Sequence, residues 1–326
     1  MKDSLGRTID YMRISITDRC NLRCRYCMPY GIQASRCQDI LRFEEIQEVA
    51  ACAASLGIRN LKLTGGEPLV RKDCCHLVEM LKAVPGIEKV TMTTNGVLLE
   101  QYLEDLVKAG IDGINISLDT LDERIYADLT GSDSCGQVME ALKHAAQVVP
   151  SVKVNAVSLD LGRENWIGLV ELAEKFPVDI RFIEMMPVGY GKKFASVDHR
   201  DLLEEIKSRY KGMEKDRTRH GPGPAVYYRI PGFSGSIGFI SAIHGKFCSS
   251  CNRIRLTAKG YLKTCLCYED GADLRSILRA EPVTAEERQE RLREAFREAV
   301  WKKPAAHCFE EPEHMTETES MVSIGG

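Results

Sequence analysis

Residues 11–29, YMRISITDRCNLRCRYCMP, join a short β-type run to a loop that carries Cys20, Cys24 and Cys27. A helical pattern, RFEEIQEVAACAASLG (42–57), follows, and then a second run, LKLT (61–64), opens directly onto TGGEP (64–68). The same order recurs down the chain. VTMTT (90–94) meets TTNG (93–96), GINISLD (113–119) closes on SLD, VKVNAV (152–157) stands alone, and DIRFIEM (179–185) meets MMP (185–187). Between them lie the amphipathic stretches CCHLVEMLKAV (74–84), LEQYLEDLVKAG (99–110), GQVMEALKHAAQVV (136–149) and ENWIGLVELAEKF (164–176), several of which stop at Gly or Pro. Six strand-then-helix repeats predict a parallel sheet covered by helices. An open doubly wound sheet and an incomplete (β/α) barrel both satisfy that pattern. In either, the polar and glycine residues gather at the carboxyl ends of the strands, where such folds place their sites.

Composition narrows the class. The 326 residues suffice for one large α/β domain with a smaller appended part, and 44 Lys+Arg against 47 Asp+Glu leave a net charge of −3. The total charge therefore predicts neither a nucleic-acid nor a membrane partner, and any basic site must be local. The amino terminus, MKDSLGRTIDYMRISITD, lacks an apolar signal segment, and no run reaches the roughly 18 apolar residues of a membrane span. The expected location is cytoplasmic. Thirteen cysteines in such a chain point to metal or redox chemistry rather than disulfides.

Cys20, Cys24 and Cys27 form C-x3-C-x2-C, a spacing suited to zinc or an iron–sulfur cluster. Three thiolates leave one iron of a four-iron cubane open to a small molecule, whereas a closed structural zinc wants four ligands. Tyr26 between the second and third cysteines places an aromatic ring beside that loop, and TGGEP offers backbone free of side chains for a close approach. After residue 188 the repeat gives way to loop-rich segments, VGYGKKF (188–194) and RTRHGPGPAVYY (217–228), and to a strand in GSIGFISAI (235–243). FCSSCNRIRLTAKGYLKTCLC (247–267) then brings a second trio, Cys248, Cys251 and Cys265, with Cys267 as a competing ligand. By itself this trio reads equally as part of a zinc ribbon. Arg253 and Arg255 fall on one face of an extended segment beside it, a pairing suited to phosphate or carboxylate. A charged helix, EERQERLREAFREAVWKK (286–303), and an acidic, aperiodic tail ending in SIGG complete the chain.

C-x3-C-x2-C with an aromatic residue before its last cysteine, followed by GGEP, resembles the radical S-adenosylmethionine enzymes. The ordered set RISITDRCNLRCRYCMP, LTGGEPLVRKD, TTNG, GINISLDTLD, VKVNAV, RFIEMMP, FCSSCNRIRLT and terminal IGG resembles a narrower family, the GTP 3',8-cyclases of molybdenum cofactor biosynthesis, through nearly the whole chain. The resemblance implies an incomplete six-stranded (β/α)6 TIM-type barrel over residues 1–187. Residues 188–326 then form a C-terminal extension with a second [4Fe-4S] cluster, a GTP-binding segment and a Gly-Gly tail. It implies that Cys20, Cys24 and Cys27 hold the radical-generating [4Fe-4S] cluster and that Cys248, Cys251 and Cys265 hold the substrate cluster. Tyr26, Gly66, Ser117 and Met186 then contact S-adenosylmethionine, and Arg13, Lys62, Thr93, Lys153, Arg253, Ile254 and Arg255 contact GTP.

By the same resemblance, Arg253, Arg255, Gly325 and Gly326 take part in catalysis, the terminal glycines threading back toward the arginines. The implied reaction converts GTP to (8S)-3',8-cyclo-7,8-dihydroguanosine 5'-triphosphate through hydrogen abstraction at ribose C3'. It draws on an external electron donor and hands its product to a cyclic pyranopterin monophosphate synthase; a homodimer is compatible with it. Lys62 departs from the family pattern, which has arginine there, and so lacks the bidentate fork. The rival readings are another two-cluster radical enzyme, such as a peptide-modifying maturase, and a non-enzymatic zinc-ribbon protein. The remaining seven cysteines, among them the adjacent Cys74 and Cys75, receive no role.

Overall fold

The computed structural model describes residues 1–33 and 35–324. Its strands are β1 (Tyr11–Ser15), β2 (Asn60–Thr64), β3 (Lys89–Thr94), β4 (Gly113–Ser117), β5 (Val152–Val157), β6 (Val178–Ile183), β7 (Glu214–Lys215), β8 (Val226–Arg229), β9 (Ile237–Ile240), β10 (Arg253–Leu256), β11 (Tyr261–Lys263) and β12 (Gly271–Asp273). The helices are α1 (Phe43–Ser55), α2 (Cys74–Lys82), α3 (Leu99–Lys108), α4 (Glu123–Thr130), α5 (Cys135–Val148), α6 (Arg163–Lys175), α7 (His199–Arg209), α8 (Leu274–Leu278) and α9 (Ala285–Trp301). The six expected strands and the five expected helices between them are all present. Helices α4, α7 and the short α8 are additional. In α7 Leu202 and Ile206 are buried with Leu203 packed beside them, and capping by Asp122 and Asp198 fixes where α4 and α7 begin.

Among the described residues one sheet runs β12-β11-β10-β1-β2-β3-β4-β5-β6-β9-β8-β7. Every neighbour from β10 to β9 in that order is parallel, while the outer pairs are antiparallel. Residues of β1 to β6, β9 and β10 all line a single cavity, so the sheet curves round it as an incomplete barrel. An open parallel sheet leaves two edges of unpaired backbone groups. Here the region after residue 188 covers both, β9 beside β6 and β10 beside β1. Residues 226–228, expected within a loop-rich stretch, belong instead to β8, whose pairing with β9 extends one of those edges.

Alternation divides each strand between two environments. Met12 and Ile14, Leu61 and Leu63, Val90 and Met92, Ile114 and Ile116, Val152 and Val154, and Ile254 and Leu256 join the aliphatic layer beneath the helices. Tyr11, Arg13, Lys62, Thr93, Asn115, Lys153, Asn155, Arg181, Arg253 and Arg255 occupy the alternate positions on the concave side. Helix α9 inserts Leu292, Phe296 and Val300 into the same aliphatic layer, so the carboxyl-terminal region shares the core of the barrel. Truncating the fully buried Phe296 to alanine is expected to destabilise the whole sheet by about 3–5 kcal/mol. Equilibrium denaturation of the metal-free protein checks this: a single transition should move to lower denaturant, whereas a separate early transition would mean that α9 unfolds independently.

Candidate active site

The first trio sits in the loop directly after β1. That loop is held by backbone contact with TGGEP: Gly66 N donates to Thr17 O at 2.8 Å and Glu67 N donates to Arg19 O at 2.8 Å. The two glycines permit this approach. A Cβ on Gly66 would lie 2.3 Å from the Arg19 carbonyl oxygen, and one on Gly65 would lie 2.6 Å from that of Thr17. Glu67 is fully buried and accepts from Thr94 Oγ1 at 2.8 Å, Asn95 N at 2.6 Å and Leu69 N at 3.0 Å, while burial pushes its carboxyl up to about 7. It thereby ties the end of β3 to the cysteine loop.

The sulfurs have their own partners. Leu22 N donates to Cys20 Sγ at 3.4 Å, and Asn95 Nδ2 approaches the same sulfur at 3.8 Å. The Val322 backbone, in the carboxyl-terminal tail, lies beside Cys27 and partly offsets the rise in its thiol pKa. Burial pushes the Cys27 thiol up to about 12, with the neighbouring Cys20 adding to the effect. Tyr26 donates to Asp119 Oδ2 at 2.6 Å, and Asp119 Oδ1 accepts from Val157 N at 2.8 Å, which anchors the aromatic ring to the ends of β4 and β5.

The second trio is positioned by Arg7. Its guanidinium donates to the carbonyl oxygens of Cys248, Lys303, Pro304 and Ala305 at 2.7–3.2 Å, binding the cysteine loop to the segment after α9. Lys303 follows, donating to the carbonyls of Arg253 and Thr264. Burial raises the Cys265 thiol, as it does the first trio, but the other two thiols are shifted the opposite way. Burial raises the Cys251 thiol, but Arg253 and Lys303 outweigh it and bring the group down to about 7. His307 lowers the Cys248 thiol against the same burial.

Cys248 and Cys251 precede β10, which runs parallel to β1 with Arg253 level with Tyr11. The levels of Cys251 and Ser15 are thus six residues apart along the strand direction, roughly 20 Å at about 3.3 Å per residue. The trios flank opposite ends of the concave face.

Between them is a cavity of about 350 Å³. All six cysteines line it, as do Tyr26, Gly66, Ser117 and Met186, expected at S-adenosylmethionine, and Arg13, Thr93, Arg253 and Arg255, expected at GTP. Arg255, Arg13 and Lys62 stand side by side in register across β10, β1 and β2. Lys62 is buried beneath the lining, and burial holds its ammonium pKa well below the usual lysine value, with Arg181, Arg13 and Lys153 adding to the shift. Lys153 forms a close ion pair with Asp179, so the structure gives it a carboxylate partner already. Ile254 departs from expectation. Strand alternation turns its side chain into the aliphatic layer, fully buried, so a side-chain contact with GTP is ruled out for it. Cys265 lines the cavity, whereas Cys267 packs away from it against Cys308. Gly325 and Gly326 lie outside the described residues, though Met321 and Val322 just before them reach the cavity.

Sequence reasoning missed Arg181, Asp119, Asn95, Lys303 and His307. Arg181, a charge inside the strand run DIRFIEM, could have been found by the argument that singled out Arg13 and Lys153; it donates to Asn155 Oδ1 at 2.9 Å. Lys303 and His307 carry no local signal, since their role comes from contacts with residues some 40 to 65 positions away.

The donor chemistry at each end is three thiols and no carboxylate from the same loop. Among the described residues no three His, Cys, Asp or Glu side chains converge as a site for one metal ion. An iron–sulfur cluster fits that donor set.

Comparison with known proteins agrees with this architecture. Residues 14–175 match the model of the Radical SAM superfamily, and residues 178–309 match Molybdenum Cofactor Synthesis C. A protein of Clostridium perfringens named GTP 3',8-cyclase is 41% identical over 328 residues, covering 100% of both chains. The chain belongs to the GTP 3',8-cyclase family. Another member, from Moorella thermoacetica, is 41% identical over 332 residues, again over 100% of both. Streptococcus suis SuiB, solved bound to S-adenosylmethionine, shares the fold with a TM-score of 0.65 at 15% identity, over 97% of this chain and 77% of SuiB. This is therefore a radical S-adenosylmethionine enzyme of the family that uses an iron–sulfur cluster. No helix among the described residues is long and apolar enough to cross a membrane.

Substituting Gly66 by alanine forces its new Cβ onto the Arg19 carbonyl and displaces the loop that bears the first trio. Binding of S-adenosylmethionine to the reconstituted enzyme, measured by equilibrium dialysis, should weaken about tenfold or more. Unchanged affinity would show that the close approach of the two backbones is dispensable.

Proposed function

We propose that this chain converts GTP to (8S)-3',8-cyclo-7,8-dihydroguanosine 5'-triphosphate for molybdenum cofactor biosynthesis. The observation that carries the reading is that both cysteine trios and Arg13, Arg253 and Arg255 face one cavity. Full-length likeness to enzymes named GTP 3',8-cyclase supports it. Cys20, Cys24 and Cys27 hold a [4Fe-4S] cluster that binds S-adenosylmethionine, and Cys248, Cys251 and Cys265 hold a second one. The first cluster and S-adenosylmethionine together, once reduced by an external donor, supply the radical that removes hydrogen from the nucleotide. The chain's own residues do the rest.

Tyr26, Gly66, Ser117 and Met186 orient S-adenosylmethionine at the carboxyl rim. Arg13, Arg253 and Arg255, with Thr93, take the triphosphate through charge-assisted hydrogen bonds. Guanine then rests at the second trio, where Arg253 and Lys303 favour the Cys251 thiolate and His307 that of Cys248. Holding base and ribose at fixed positions along one cavity makes ring closure a matter of proximity. The terminal glycines, Gly325 and Gly326, approach the same arginines from the tail. Against the peptide-modifying and zinc-ribbon alternatives stands the full-length likeness to enzymes named GTP 3',8-cyclase.

Anaerobic, reduced protein with about eight iron and eight sulfide per chain should convert GTP and S-adenosylmethionine to the cyclised nucleotide and 5'-deoxyadenosine, separated by liquid chromatography. Deoxyadenosine alone would keep the radical class and reject GTP. Neither product, from protein of verified cluster content, would reject the reading.

Lys62 adds a proton-linked prediction. Burial lowers its folded pKa, and an arriving triphosphate favours its charged form. At about pH 8, where a terminal phosphate with a pKa of about 6 is already ionised, GTP binding should take up protons. Calorimetry in buffers of different ionisation enthalpy reads that uptake. It should vanish in Lys62→Met, and also in Lys62→Arg, whose guanidinium is charged throughout.

A further inference from the structure

Outside the cavity, the second trio has a neighbouring pair of thiols that the reaction does not use. Cys267 Sγ lies 3.2 Å from Cys308 Sγ, inside the van der Waals separation of two sulfurs, and Cys308 N donates to Cys267 Sγ at 3.4 Å. The two residues are 41 positions apart, one after β11 and the other beyond α9. Cys267 is fully buried and Cys308 half-buried. They pack in a satellite core with Val188, Leu266, Phe309 and Ile324, separate from the aliphatic layer of the barrel. The same neighbourhood anchors the tail. Glu317 N donates to the Cys267 carbonyl at 3.2 Å, Glu269 N donates to Thr316 Oγ1 at 3.0 Å, and Glu317 forms a buried ion pair with Lys263. A few residues on, Val322 reaches Cys27 at the first trio.

We propose that Cys267 and Cys308 are a reversible dithiol/disulfide pair that staples the carboxyl-terminal segment to the hairpin of the second trio. The oxidant class is a low-molecular-weight disulfide. The exposed side of Cys308 meets it first: the Cys308 sulfur attacks one sulfur of the small disulfide, its S–S bond breaks, and one small thiol leaves. Cys267 then displaces the second small thiol from the mixed disulfide, forming the Cys267–Cys308 bond. The protein loses two protons and two electrons, and the small disulfide is reduced to two thiols. Because the sulfurs already touch and the backbone of Cys308 is bonded to Cys267, closure needs little rearrangement. The staple closes a chain segment that includes α8 and α9 and fixes the point from which the tail departs toward the cavity.

The test uses full-length protein with its clusters installed, equilibrated anaerobically in mixtures of reduced and oxidised glutathione. After acid quenching and alkylation it is digested without reduction and mapped by mass spectrometry. One crosslinked peptide joining residues 267 and 308 is expected, rising with the oxidised share, reversed by dithiothreitol, and accompanied by unchanged iron. Proteolysis within residues 309–320 should slow several-fold in the oxidised form. Cys308→Ala and Cys267→Ala should each lose the crosslink and the protection while keeping iron and circular dichroism. A persistent mixed disulfide at Cys308, crosslinks to Cys248, Cys251 or Cys265 instead, or iron loss in either variant would overturn the proposal, the last by making the pair part of the metal site.

Discussion

A curved parallel sheet with aliphatic residues on one face and cations on the other is the constraint from which the rest follows. Each strand alternates, so Met12 and Ile14 serve the helix-facing core while Arg13 points inward, and the same holds for Ile254 beside Arg253 and Arg255. Register then aligns Arg255, Arg13 and Lys62 across three adjacent strands. Burying several like charges together costs several kcal/mol per ion unless opposite charge meets them. Asp179 meets Lys153, and Asn155 accepts from Arg181.

The ends of that face differ in chemistry as well as position. The first trio is lined by Tyr26, Met186 and the TGGEP turn, with thiol pKa values held high by burial. The second is surrounded by Arg253, Lys303 and His307, which bring Cys251 down to about 7. Cations are thus gathered at the second end and along the row, and aromatic and thioether side chains at the first. The tail, docked at Glu317 and reaching Cys27 through Val322, is the physical link between the two.

Much of this was legible in the sequence because it is local. The six strand runs, the helices between them, the cysteine spacings and the pairing of Arg253 with Arg255 on one face all follow from periodicity or short motifs. What was not legible depends on pairing across long stretches of chain. No pattern near residue 237 or 253 says that β9 and β10 will cover opposite edges of a sheet begun at residue 11, or that Arg7 will gather the carbonyls of residues 248 and 303–305. Ile254 shows what alternation adds. It fell within a functional motif, yet alternation assigns its side chain to the core, as the motif's own spacing already implied.

The central claim is that one cavity joins the two cysteine trios, so that hydrogen removed by the chemistry at one end comes from the nucleotide held toward the other. Deuterium placed at C3' of GTP tests it most directly, with the 5'-deoxyadenosine formed in a single turnover analysed by mass spectrometry. The account predicts deuterium in the deoxyadenosine and its loss from the cyclised nucleotide. Unlabelled deoxyadenosine, with the label retained in the nucleotide, would contradict it.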